Sequence, residues 1–187
     1  MIPRSAIVLA SAILAGAAAL ALAQDHAEPR ADAAASAPSP APLGAIGRLL
    51  LAARPGDTVL VPEGVYAEHL RIDKPVSLIA AGRVVIDGQG LGDIVEISAP
   101  DTTLRGFVIR NTGIDLDHEN AAVRVLAPRA TIEANTLDDV LFGIDLRDAP
   151  DCRIIGNTIG GKDLDIARRG DGLRLWRSDR ALIERNR

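Results

Sequence analysis

The chain has one cysteine, Cys152, in 187 residues, and no CxxC pair or HExxH run, which excludes an internal disulfide and the common zinc sites. Stability must therefore come from packing. Aromatic side chains are nearly as scarce: Tyr66, Phe107, Phe142 and Trp176 complete the set, too few for the stacking platforms of single-stranded nucleic-acid binders. The net charge of −4, from 21 basic and 25 acidic residues, gives no attraction to phosphate backbones, so nucleic acid is not an expected partner. Methionine occurs only at position 1, which removes the thioether donors that soft metals prefer. The hydrophobic fraction of 48% is still ample for one folded domain and excludes a disordered or collagen-like chain.

Charge is also missing from the N-terminus. Arg4 is the only charged side chain before Asp25, and Ala6 to Ala23 is an unbroken apolar or small run ending in Ala21-Leu22-Ala23. The pattern predicts a secretory signal peptide over residues 1–23, cut after Ala23, and hence export. A membrane anchor is the competing reading, because the run approaches the spanning minimum of about 18 residues. Its alanine content and A-x-A ending favour cleavage. Residues 24–42 (QDHAEPRADAAASAPSPAP) lack a hydrophobic face and read as a flexible Ala/Pro-rich linker, with His26 solvated within it.

The remainder, 43–187, is a repeat. Val95-Glu96-Ile97, Val123-Arg124-Val125, Ile144-Asp145-Leu146 and Leu173-Arg174-Leu175 superimpose, each alternating inward and outward as a half-buried strand does. A second strand follows each: Leu104 to Ile109, Thr131 to Leu137, Cys152 to Ile159, and Ala181 onward. Steps of 28, 21 and 29 residues between the first strands point to a right-handed parallel β-helix, in which each coil buries its apolar face only against its neighbours.

Turn residues agree with this register. Asn135, Asn157 and Asn186 fall at one place in successive coils, where stacked amides form a ladder. Cys152 aligns with Ala130 and Ala181, so it reads as a small buried hydrophobe rather than a metal or redox thiol. Leu43 to Ala53 should form a short helix that plugs the first coil. The chain stops partway through a coil at Arg187, from which an incomplete, longer solenoid is expected.

The two long steps come from insertions of about seven residues before the first strand of alternate coils, Thr112 to Asn120 and Gly161 to Arg169. They should project from one face with roots roughly 10 Å apart, at about 4.8 Å per coil. Both contain Asp-Leu-Asp. Asp115, Asp117, His118 and Glu119 in the first are the candidate metal ligands, an oxygen-rich set that suits calcium better than copper(I). A solvated acidic loop is the competing reading. Asp163, Asp165, Arg168, Arg169 and Asp171, with the nearby Trp176, are the candidate partner-binding residues. His69 should point outward. Arg169, Asp171 and Arg174 could alternatively serve a calcium-assisted polysaccharide lyase, a hydrolase or a carbohydrate-binding β-helix, but the chain lacks aromatic platforms and any nucleophile with its base. No catalytic or cofactor-binding residues are therefore assigned, and an enzyme is not expected.

Gly56-Asp57-Thr58-Val59-Leu60-Val61-Pro62-Glu63-Gly64-Val65-Tyr66 and Leu70 to Leu78 look like the opening coil of right-handed β-helix proteins in general. Leu141-Phe142-Gly143-Ile144-Asp145-Leu146 and Arg169-Gly170-Asp171-Gly172-Leu173-Arg174-Leu175-Trp176-Arg177-Ser178, with the two insertions, resemble the NosD family of periplasmic maturation proteins for nitrous oxide reductase. The resemblance covers essentially Leu43 to Arg187. It implies a non-enzymatic periplasmic β-helix that works with the membrane subunit of an ABC transporter and helps supply copper to nitrous oxide reductase. Family members are longer. With one cysteine and no methionine after position 1, these residues offer copper little, and its ligands are expected in further coils or on a partner.

Overall fold

The computed structural model describes residues 43–187 and a two-residue strand, β1 (Ile7–Val8), paired in parallel with the first strand of the coils. The predicted signal peptide and linker otherwise lie outside the described residues. A short helix, α1 (Ala45–Ala52), precedes a first coil of β2 (Thr58–Tyr66) and β3 (Leu70–Ile72), and a second of β4 (Ser77–Asp87) and β5 (Val95–Ile97). The third coil holds β6 (Thr103–Arg105), β7 (Val108–Arg110) and β8 (Ala121–Val125). The fourth holds β9 (Thr131–Glu133), β10 (Thr136–Val140) and β11 (Phe142–Arg147). The fifth holds β12 (Arg153–Ile155), β13 (Thr158–Gly161) and β14 (Leu173–Trp176), and β15 (Leu182–Glu184) follows.

Strands pair in parallel with their counterparts one coil away. This is the expected parallel β-helix, but the third to fifth coils have three strands rather than two, because the long strand of the second coil, β4, is matched there by two shorter ones. Each predicted second strand bends once: Gly106, Ala134, Gly156 and Arg185 take positive φ of 83°, 53°, 65° and 55°, which breaks the extended run. The side chain after each bend turns inward, Phe107 in the third coil and the predicted asparagines in the next three. The Asn135 amide donates to the carbonyl of Leu104 at 3.0 Å, and that of Asn157 to Ile132 at 2.9 Å. The ladder thus satisfies backbone groups that the bend would leave orphaned in a dry interior.

Inward side chains stack like on like. Leu78, Leu104, Ile132 and Ile154 form one column, and Ile97, Val125 and Leu146 another; all are fully buried. Each contributes roughly 1.5–3 kcal/mol through burial. Cys152 is fully buried as expected, and burial pushes its thiol pKa up.

The first coil holds its own lid. Ile46 and Leu50 of α1 are buried over it. Glu68, just before β3, accepts the N–H groups of Ile46 and Gly47, both at 3.1 Å. Lys74, just after β3, donates to the carbonyls of Leu50, Leu51 and Ala53 at 2.8, 3.0 and 3.0 Å. An acid at the N-terminus and a base at the C-terminus satisfy unpaired backbone groups and oppose the helix dipole. Among the described residues, no helix is long and apolar enough to cross a membrane.

Candidate functional site

Both predicted insertions sit at the same corner of the solenoid, between β7 and β8 in the third coil and between β13 and β14 in the fifth. The fourth coil turns that corner with Leu141 alone, between β10 and β11. A third loop shares the corner and escaped the sequence reading: residues 88–94, between β4 and β5. It lies against the first insertion, with Gly113 N–H donating to the Gly92 carbonyl at 3.0 Å. An open cleft of about 780 Å³ lies between them, lined by Gly90, Leu91, Asp93, Ile114, His118 and Arg124 among others.

Of the candidate metal ligands, Asp115 and His118 meet, but Glu119 does not join them. Asp115 accepts the backbone N–H groups of Asp117 at 2.9 Å and His118 at 3.1 Å, and its Oδ2 lies 2.7 Å from His118 Nδ1. These bonds hold its carboxyl pKa below the usual range. Glu119 turns away from them to Arg147 and Arg174. Among the described residues, no three His, Cys, Asp or Glu side chains are placed to hold a metal ion.

What does converge is charge along the outer face of the five-stranded sheet β3-β5-β8-β11-β14. The outward residue of each strand stacks on the next in the order Arg71, Glu96, Arg124, Asp145, Arg174, alternating in sign. Asp145 is fully buried. It receives Arg147 Nε at 2.7 Å and Arg174 Nε at 3.0 Å, while Arg124 Nε approaches to 3.4 Å. Arg124 also pairs with Asp93 at 2.7 Å. Burial, aided by the charges of Asp145 and Glu96, raises the Asp93 pKa against the lowering effect of the Ala121 N–H and Arg124. Glu119 crosses from the inserted loop to bind Arg174 through both carboxylate oxygens, and the bonds from Arg174 hold its pKa down at about 2. The guanidinium of Arg174 lies 4.8 Å from the centre of the Phe142 ring, a cation–π arrangement. A similar alternation runs along a neighbouring corner, where Asp101 pairs with Arg129 at 2.7 Å and Asp151 with Arg180 at 2.6 Å.

The second insertion folds back on this face. Leu164 packs against Ala121, Leu141 and Phe142, and Arg169 Nε donates to the Leu164 carbonyl at 2.5 Å. Asp163, Asp165, Arg168, Arg169 and Asp171 are left exposed, as is Trp176. Arg169 is thus bound within its own loop and Arg174 to two carboxylates, so the residues suggested for sugar cleavage do not form one constellation.

The two distinctive sequence segments are neighbours in space, since β11 pairs with β14 from Ile144 opposite Leu173 to Arg147 opposite Trp176. Their glycines are needed for this contact: a Cβ on Gly143 would collide with the Gly172 carbonyl, and one on Gly170 with the Phe142 ring.

No family model matches the sequence. The chain is 33% identical over 130 residues to a probable ABC transporter binding protein NosD of Stutzerimonas stutzeri, covering 67% of this chain and 30% of the relative. It is 32% identical over 127 residues to the protein of the same name from Pseudomonas aeruginosa, covering 66% and 30%. The chain thus spans about 30% of the length of these relatives. Among solved structures, a pectin methylesterase in complex with a hexasaccharide is 18% identical, covering 62% of this chain and 49% of its own, with a TM-score of 0.48. With two relatives 32–33% identical over about two thirds of its length, the chain belongs to the NosD family.

Proposed function

We propose that these coils are the scaffold of a periplasmic accessory protein that docks its partners through the loop-bearing corner and the adjoining charged face. The partners are the membrane subunit of an ABC transporter and nitrous oxide reductase, and the task is assembly of the reductase copper centre. The relatives' names support the transporter link. The observation that carries the docking role is the gathering of three loops at one corner, beside an exposed tryptophan and a ladder of paired charges. Loops clustered on one face of a solenoid are where repeat proteins bind. Interfaces favour a Trp or Arg anchor within a polar rim.

Copper is cargo in this reading rather than a resident ion. The loop at residues 112–120 offers one imidazole and its aspartate, while Glu119 is committed to arginines. The test is charge reversal at Asp163, Asp165 and Arg169 in the full-length protein. Reductase copper content should fall several-fold with the thermal midpoint of the variant unchanged; full copper content would overturn the proposal.

A further inference from the structure

Arg147 and Arg174 both reach Asp145 through Nε. Because Asp145 is fully buried, the two side chains are anchored from beneath; Arg174 Nη2 also donates to Asp145 Oδ2 at 3.1 Å, and the other terminal N–H groups face outward. There both meet one carboxylate, that of Glu119: Arg174 takes both oxygens at 2.5 and 2.7 Å, and Arg147 takes Oε2. Two guanidinium forks fixed in advance form a receptor for a planar carboxylate. Its occupant does not belong to the solenoid wall. Glu119 closes an inserted loop whose other charged residues, Asp115, Asp117 and His118, are exposed.

The seat opens into a cavity of about 430 Å³ lined by Glu119, Arg147, Asp148, Arg174, Trp176 and Arg177. Trp176 stands 61% exposed at its rim, opposite Arg147 in the strand register. Arg177 pairs with Asp148 at 2.8 Å, with both side chains more than half exposed.

We propose that the Arg147–Arg174 seat receives an acidic segment of a partner protein, whose carboxylate displaces Glu119 and whose adjoining chain packs over Trp176. Glu119 is then the resident stand-in that keeps the seat filled until a partner arrives. A peptide fits better than an acidic polysaccharide, because the occupant in place is itself a peptide glutamate and the rim holds a single aromatic rather than a row of platforms. An internal competitor lowers the apparent affinity by the fraction of time that it fills the seat. Emptying the seat should therefore strengthen binding. The inference rests on reading this face as a docking surface and specifies the partner's chemistry.

Trp176 is the only tryptophan in the chain, so its fluorescence reports the rim directly. The full chain is titrated with acetylated tetraglutamate, with tetraglutamine as control. Glu119→Gln should bind tetraglutamate at least tenfold more tightly than the unaltered chain, and adding Arg174→Gln should abolish the response. Tetraglutamine should give none. If Glu119→Gln fails to fold, Glu119→Asp provides the same comparison with a shortened stand-in and a smaller gain. Equal affinities before and after substitution, or a response to tetraglutamine, would overturn the proposal, as would polygalacturonate binding where tetraglutamate does not. The titration contains neither transporter nor reductase, so its failure leaves the docking reading in place. Failure of the copper-content test would leave a positive titration standing.

Discussion

Asn157 Oδ1 accepts two hydrogen bonds from Asn135, from the backbone N–H at 3.0 Å and from Nδ2 at 3.1 Å, so one buried oxygen joins two coils. Asn186 repeats the arrangement one coil on, at 2.9 Å to each donor of Asn157. Replacing Asn157 with alanine strands the Asn135 donors and the Ile132 carbonyl in a dry interior. An unsatisfied buried group costs about 1–3 kcal/mol. We expect Asn157→Ala to lose about 3 kcal/mol in urea denaturation and Asn186→Ala, half-buried at the last coil, about 1 kcal/mol. Equal losses would show that the amides act singly rather than as a ladder.

Asp145 should be the costliest acid in the chain to remove. Asp145→Ala leaves the guanidinium groups of Arg124, Arg147 and Arg174 facing one another without their shared counter-ion, and breaking a buried pair in this way costs about 3–5 kcal/mol. Glu96 occupies the equivalent place two coils earlier but meets Arg71 at 3.4 Å with the Arg71 side chain 72% exposed. Glu96→Gln should change stability by less than about 1 kcal/mol. Chemical denaturation of both variants checks the contrast.

Glu119 adds an acid-dependent component. Its pKa falls from 4.5 to about 2 on folding, so its contribution is present in full above the unfolded value and is lost as pH falls through the folded one. The stability difference between the unaltered chain and Glu119→Gln should be constant above about pH 5 and shrink between pH 4.5 and 2. Thermal midpoints across that range provide the measurement. A difference that stays flat down to pH 2 would mean that the arginines do not hold this carboxylate.

Much of the fold was legible in the sequence. Period-two apolar pairs located β5, β8, β11 and β14 of the five-stranded sheet, and alignment with Ala130 and Ala181 marked Cys152 as buried. The bend within each predicted second strand was missed because Ala134 and Arg185 give no turn signal, while glycine does so only at Gly106 and Gly156. The loop at residues 88–94 was missed because it carries no paired charges like those of the other two. Its glycines, at 88, 90 and 92, were the available clue.

The site was less legible. Glu119 and Arg174 lie 55 residues apart, and no local spacing joins them. The ladder itself is visible in the sequence: the middle residues of the aligned pairs, Glu96, Arg124, Asp145 and Arg174, alternate in sign between their apolar neighbours.

That alternation sets a rule of parity on the solenoid. Removing the third coil would seat Glu96 beneath Asp145 and Asp101 beneath Asp151, like charge on like in two rows at once. Removing the third and fourth together would bring Glu96 to Arg174 and Asp101 to Arg180, and opposite charges would meet again. A lineage built on these rows gains or loses coils most easily in twos, and a coil mispaired by one step during folding is rejected by its charges as well as by its shape.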